Sequence, residues 1–136
     1  MITATKRLSF CCAHRLLGHE DKCANLHGHN YRVEIDCCTG DSLDSIGRII
    51  DFSVIKERLG GWLDRNWDHA VLLNEIDPLV SILKQTKQIV AVMKGNPTAE
   101  NMASVLFGVA DDLFPGKCVS RVRVEETDGA WAEASA

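Results

Sequence analysis

The residues with the clearest chemical potential are three histidines. His27, Gly28 and His29 open a stretch, His27 to Cys38, in which Tyr31, Val33, Ile35 and Cys37 fall on one parity and Arg32, Glu34 and Asp36 on the other. On a strand, residues i and i+2 project from the same face, so both imidazoles can converge on one ion. Gly28 between them permits a close backbone approach. His14 ends a second alternating segment, Thr3 to His14, in which Leu8, Phe10, Cys12 and His14 share a parity. If the two segments pair as a hairpin, His14 joins the other two. Three neutral imidazoles with one open position form the donor set of a catalytic zinc, not the closed four-ligand set of a structural one. All three fall on the apolar parity, and buried histidines with nothing to bind would need many hydrogen-bond partners. The expected cofactor is one Zn2+ on His14, His27 and His29.

Four further positions could complete a reaction. Cys23 lies four residues before His27. A thiol near cationic groups can act as base or nucleophile, and the same spacing allows a fourth zinc ligand or an inert loop cysteine. Asp68-His69 follows an amphipathic helix, where a carboxylate can fix the tautomer of its neighbouring imidazole; a surface pair at a helix end has the same pattern. Glu126 shares the parity of Val122 and Val124, which turns a carboxylate toward the core, where it must find a partner such as the N–H groups of a ligand; a strand-end residue already back in solvent has the same pattern. Glu100 stands in the first turn of a helix, where negative charge is favourable. Thr98 is a plausible N-cap of that helix. His19 reads as a surface residue of the loop.

These side chains need a scaffold. The loop Arg15 to Leu26 is long enough to carry function. Gly40 to Gly47 reads as a turn, and Asp51 or Ser53 can cap a helix reaching about Asp64, with Phe52, Ile55, Leu59 and Trp62 at helical spacing. A short helix over Asp77 to Gln85 and a strand over Ile89 to Met93 follow. Pro97-Thr98 opens a long helix with Met102, Leu106, Val109 and Leu113 as its buried stripe, and Pro115-Gly116 ends it. Cys118 to Thr127 is the last strand. This order implies an α+β domain with an antiparallel sheet and helices on one face.

The chain has 136 residues, 46% apolar and 25% charged, as in one soluble domain covering residues 1–136. Its net charge of −4 argues against a nucleic-acid partner. Apolar runs are too short for a membrane span, and Met1 to Arg7 lacks the apolar stretch of a signal peptide, so a cytoplasmic location is expected. The six cysteines include the neighbours Cys11-Cys12 and Cys37-Cys38 and show no Cys-x-x-Cys spacing, which points to reduced, mostly buried thiols.

Together these residues resemble the family of 6-pyruvoyltetrahydropterin and 6-carboxytetrahydropterin synthases. The resemblance spans the chain, through Phe10 to His14, Cys23-Ala24-Asn25-Leu26-His27-Gly28-His29, Asp51-Phe52, Asp68-His69, Pro97-Thr98-Ala99-Glu100-Asn101 and Glu126-Thr127. It implies the tunnelling fold: a four-stranded antiparallel sheet with two main helices on one face, assembled as a homohexamer, a dimer of trimers, with active sites between subunits. It implies zinc on His14, His27 and His29, Cys23 as proton acceptor, Asp68 and His69 as its relay, and Glu126 as anchor of a pterin ring. Thr98 and Glu100 are further candidate substrate-binding positions, and Arg15 and Lys22 could meet a triphosphate.

Members that make the pyruvoyl product usually carry a longer gap between the cysteine and His-Gly-His, whereas the carboxytetrahydropterin synthases of 7-deazaguanine and queuosine biosynthesis typically have three intervening residues. Here the gap is Ala24-Asn25-Leu26. The resemblance therefore favours conversion of 7,8-dihydroneopterin triphosphate to 6-carboxy-5,6,7,8-tetrahydropterin, acetaldehyde and triphosphate. The alternatives are pyruvoyltetrahydropterin formation and a zinc- or pterin-binding protein without turnover. Cys11-Cys12 departs from the small residues usual there, and Trp131 stands where tyrosine is frequent.

Overall fold

A computed structural model of the chain describes residues 1–39, 42–114, 116 and 119–136. The start of the expected turn at Gly40, and Pro115 and Cys118 at the expected helix end and strand start, lie outside the described residues.

The two alternating N-terminal segments form β1 (Thr3–His14) and β2 (His27–Cys38). They pair antiparallel along their length, from Thr3 opposite Cys38 to His14 opposite His27. β5 (Val119–Thr127) pairs antiparallel with β2, and β6 (Ala130–Ser135) with β5. On the other side of β1, β3 (Val71–Asn74) pairs in parallel at Ala13 and His14, and β4 (Val90–Met93) adds in parallel to β3. The sheet order is β4-β3-β1-β2-β5-β6.

The expected sheet of four antiparallel strands is thus corrected in detail. Four strands do run antiparallel, but the fourth is β6, and the segment near Ile89 to Met93 joins a parallel pair instead. β3 has the sequence Val-Leu-Leu-Asn, a short continuous apolar run without the period-two alternation that marks a half-buried strand. β6 is rich in alanine and lacks β-branched residues.

Asp51 caps α1 (Phe52–Ile55) by accepting from the N–H of Ser53. A π turn over Lys56–Gly60 leads into α2 (Gly61–Asn66). After the short α3 (Leu79–Gln85), Thr98 caps α4 (Ala99–Leu113), its side chain accepting from the N–H of Asn101. Met102, Ala103, Leu106 and Ala110 are the buried residues of α4, while Val109 and Leu113 pack at the margin of the core. Ile55, Leu59 and Leu63 join them against Phe10, Tyr31, Val33, Ile35, Val122 and Val124 on one sheet face. Burying each large apolar side chain contributes about 1.5–3 kcal/mol, which fixes the helix-covered face. The opposite face is charged and cross-paired, with Arg7, Arg121 and Arg123 all meeting Glu34 and Arg121 also meeting Asp36. Cys12 and Cys37 are buried, as expected; Cys11, Cys23 and Cys38 are partly buried. No described helix is long and apolar enough to cross a membrane.

Candidate active site

His14 and His27 occupy the last paired position of the β1–β2 hairpin, and His29 stands one strand period further along β2. One ligand atom from each of the three rings lies within 4.8 Å of the others. The His14 and His27 Nε2 atoms are 3.1 Å apart. Gly28 allows this convergence: a Cβ there would stand 3.2 Å from the Cys12 carbonyl oxygen.

The hydrogen bonding of these rings fits a bound cation. His14 Nδ1 lies 2.8 Å from the Pro97 carbonyl, and His27 Nδ1 lies 2.7 Å from the Asn25 carbonyl. A carbonyl only accepts, so each Nδ1 carries the proton and donates it there. In that tautomer each ring is left with its Nε2 directed at the other's, 3.1 Å away. His29 Nε2 is buried without a hydrogen-bond partner. Burial pushes the pKa of His14 and of His29 below the ordinary histidine value, with Glu126 opposing in both cases. The rings are thereby held neutral, which is the form that ligates a metal. The Tyr31 hydroxyl completes the surroundings, 3.2 Å from His14 Nδ1. Its pKa is raised, by burial first.

Glu126 also reaches this end of the sheet. Its Oε1 is 3.5 Å from His29 Nε2, longer than an ordinary hydrogen bond. The β5–β6 pairing slips between Glu125 and Thr127, a bulge of the kind that re-aims side chains beside active sites.

Asp68 and His69 sit just past α2, at a different margin of the same strand end. The His69 ring is 77% exposed, and its backbone is left-handed, with φ of 60°. That conformation is held by its N–H donating to the Cys11 carbonyl at 2.7 Å. Asp68 Oδ1 accepts from the N–H of Cys11 at 3.0 Å, and Oδ2 faces His69 Nδ1 at 2.8 Å. The Asp68 carboxyl is held below its usual range, by the Cys11 N–H first and by His69 as well, against the effect of burial.

Cys23 lies in a 3-10 turn over Lys22–Ala24, in the loop between β1 and β2. Its carbonyl accepts from the N–H of Leu16, and Asn96 grips the same loop through both the N–H and the C=O of Leu17. Cys23 is not among the groups of mutually close metal-ligating atoms in the described residues. Nor does a hydrogen bond join it to Asp68 or His69 within the chain; there the pair meets Cys11. Thr98 is committed to capping α4, and Glu100 is exposed in the first turn of that helix. Arg15 is paired through two hydrogen bonds with the buried carboxylate of Asp77, so it is not a free cation awaiting a triphosphate, whereas Lys22 is exposed. His19 accepts from the N–H of Asp21 and is partly buried in the loop, a little less open than expected. Sequence patterns did not single out Cys11, Tyr31 or the Pro97 carbonyl. Pro97 is 83 residues from His14, and no local pattern joins them.

Three comparisons bear on this geometry. A sequence model of the family described as 6-pyruvoyl tetrahydropterin synthase matches residues 3–136. The chain is 40% identical to a 6-carboxy-5,6,7,8-tetrahydropterin synthase of Rickettsia bellii, covering 98% of this chain and 99% of that protein. Among solved structures, it resembles an uncharacterized protein from Wolinella succinogenes, with a TM-score of 0.84 at 21% identity over 98% of this chain and 97% of the other. It also resembles the 6-pyruvoyl tetrahydropterin synthase of Caenorhabditis elegans, with a TM-score of 0.74 at 24% identity over 99% and 95% of the two chains.

Proposed function

This chain belongs to the 6-pyruvoyl tetrahydropterin synthase family, and from that premise we propose that it is a 6-carboxy-5,6,7,8-tetrahydropterin synthase of 7-deazaguanine and queuosine biosynthesis. The reaction takes 7,8-dihydroneopterin triphosphate and water to 6-carboxy-5,6,7,8-tetrahydropterin, acetaldehyde and triphosphate. The observation that carries the reading is the convergence of His14 Nε2 and His27 Nε2 to 3.1 Å, beside a buried His29 Nε2 that has no hydrogen-bond partner. The choice of product is supported by the three residues between Cys23 and His27 and by relatives such as the R. bellii enzyme.

His14, His27 and His29 would hold a Zn2+ ion. When bound, zinc supplies Lewis-acid polarisation of the substrate's side-chain hydroxyls. Cys23, as thiolate, accepts a proton from the substrate side chain. His69 carries that proton onward through the lone pair of Nε2, because its Nδ1–H is committed to Asp68. Glu126 accepts hydrogen bonds from the N–H groups of the pterin ring, at a distance from His29 that sets the ring end of the substrate next to the metal end. Thr98 and Glu100 lie beside Pro97, whose carbonyl orients His14, and would border the substrate there.

We also propose the homohexamer, a dimer of trimers, with active sites between subunits. Within one chain Cys23 shares neither a hydrogen bond nor a group of mutually close ligating atoms with Asp68-His69, which supports this, since a neighbouring copy can bring the missing partner. The whole of 1–136 would act as a single domain in that assembly.

Incubation of the purified protein with 7,8-dihydroneopterin triphosphate tests the reading. Acetaldehyde and 6-carboxytetrahydropterin are the expected products. Release of triphosphate without acetaldehyde would instead identify pyruvoyltetrahydropterin formation, and an untouched substrate would contradict both.

A further inference from the structure

Cys11 has no part in the proposed reaction, yet it is the residue to which Asp68 and His69 are fastened. Its N–H is bound by Asp68 and its carbonyl by the N–H of His69. Its thiol lies 3.7 Å from both ring nitrogens of His69. One donor atom from each of Cys11, Asp68 and His69 lies within 4.8 Å of the others.

The hydrogen bonds give these donors a direction. Asp68 Oδ2 only accepts, so His69 Nδ1 carries the proton and Nε2 keeps its lone pair. A carboxylate that orients an imidazole in this way is the usual outer support of a metal-ligating histidine. Thiolate and imidazole bind zinc at roughly 2.3 and 2.0–2.1 Å, which places two ligands of a tetrahedral ion about 3.5 Å apart. Sγ stands equally far, 3.7 Å, from both ring nitrogens and therefore off the Nε2 lone-pair axis, so the Cys11 side chain must turn toward the Nε2 side of the ring to share an ion with it. A cleft of about 360 Å³, lined by Cys11, His29 and His69 among others, gives ions access to the pair.

We propose that Cys11 and His69, oriented by Asp68, form a second site for a thiophilic divalent cation, distinct from the three-histidine group. With two direct protein ligands instead of three, it is the weaker site and fills only in metal excess. Binding there is independent of the reaction the enzyme runs. Its consequence does rest on the relay assigned to His69: an ion on Nε2 takes the lone pair that would carry the proton, so excess metal inhibits.

The test is Co2+ titration of the zinc-loaded protein, followed by the near-ultraviolet thiolate-to-cobalt charge-transfer band. The band should grow to one equivalent per chain in the wild type and in Cys23→Ala, and be lost in Cys11→Ala and in Cys11→Ser, the latter keeping the side-chain size. A wild type without the band, a band that survives in either Cys11 variant, or one lost in Cys23→Ala overturns the site. In parallel, excess zinc should inhibit turnover of the wild type and spare Cys11→Ala. The expected bands without that difference in inhibition would leave the site standing and remove His69 from the relay.

Discussion

The histidine trio and the Asp68-His69 pair lie at the same end of the sheet but are built in opposite ways. His14 is 1% exposed, and the trio is held by regular strand pairing, with two of its Nδ1 atoms fixed by backbone carbonyls. The His69 ring is largely exposed on a left-handed residue, held by a clamp to the backbone of Cys11. A left-handed non-glycine residue costs on the order of 1 kcal/mol and persists where its surroundings enforce it. The difference suits the two tasks proposed for them. A metal ligand benefits from burial, which keeps it neutral and immobile, whereas a group that passes protons onward must be reachable from outside the chain.

Substitutions can break this contrast. His14→Ala should have the largest effect, because it removes one of the three proposed zinc ligands and strands the buried Pro97 carbonyl. Bound metal and turnover should both be lost, and stability should fall by about 1–3 kcal/mol in chemical denaturation. His69→Gln should lower turnover about 100-fold while metal content and the denaturation midpoint stay at wild-type values; loss of metal in this variant would erase the distinction between the two regions. Tyr31→Phe sharpens the picture from inside the trio. It deletes a hydroxyl beside His14, and metal affinity measured by competition with a chelator should weaken roughly tenfold, as for other outer partners of metal ligands.

The smallest effect concerns Asp77, which fastens the start of the Cys23 loop through Arg15. The Arg15 pair, above all, holds the Asp77 carboxyl below its usual range. A depressed carboxyl contributes its full stability above the unfolded-state value of about 3.9 and loses it as pH falls through the lower folded value. Asp77→Asn should therefore be less stable than wild type near neutral pH, with the two denaturation curves converging below about pH 4. Curves that stay equally separated down to that pH would remove Arg15–Asp77 as a pH-dependent fastener.

Much of the frame was legible because it follows local periodicity. Alternation in Thr3 to His14 and His27 to Cys38 gives both strands, their buried face and the convergence of three histidines. Thr98 and Asp51 announce their helices as caps. The parity of Glu126 anticipates its approach to the core, although the bulge that aims it arises from pairing with β6. What escaped has non-local causes. β3 is a short apolar run defined by parallel partners on both sides, Cys11 acquires its role from a turn more than fifty residues away, and the carbonyl that selects the His14 tautomer belongs to Pro97. That Asp68-His69 groups with Cys11 and not with Cys23 within one chain could not be read from spacing at all.

X-ray absorption at the zinc edge, on protein loaded with one equivalent of zinc per chain, tests the central claim most directly. The account predicts a first shell of nitrogen and oxygen with imidazole scattering, retained unchanged in Cys23→Ala and lost in His27→Ala. A sulfur scatterer at about 2.3 Å, or zinc that stays bound in His27→Ala, would contradict it.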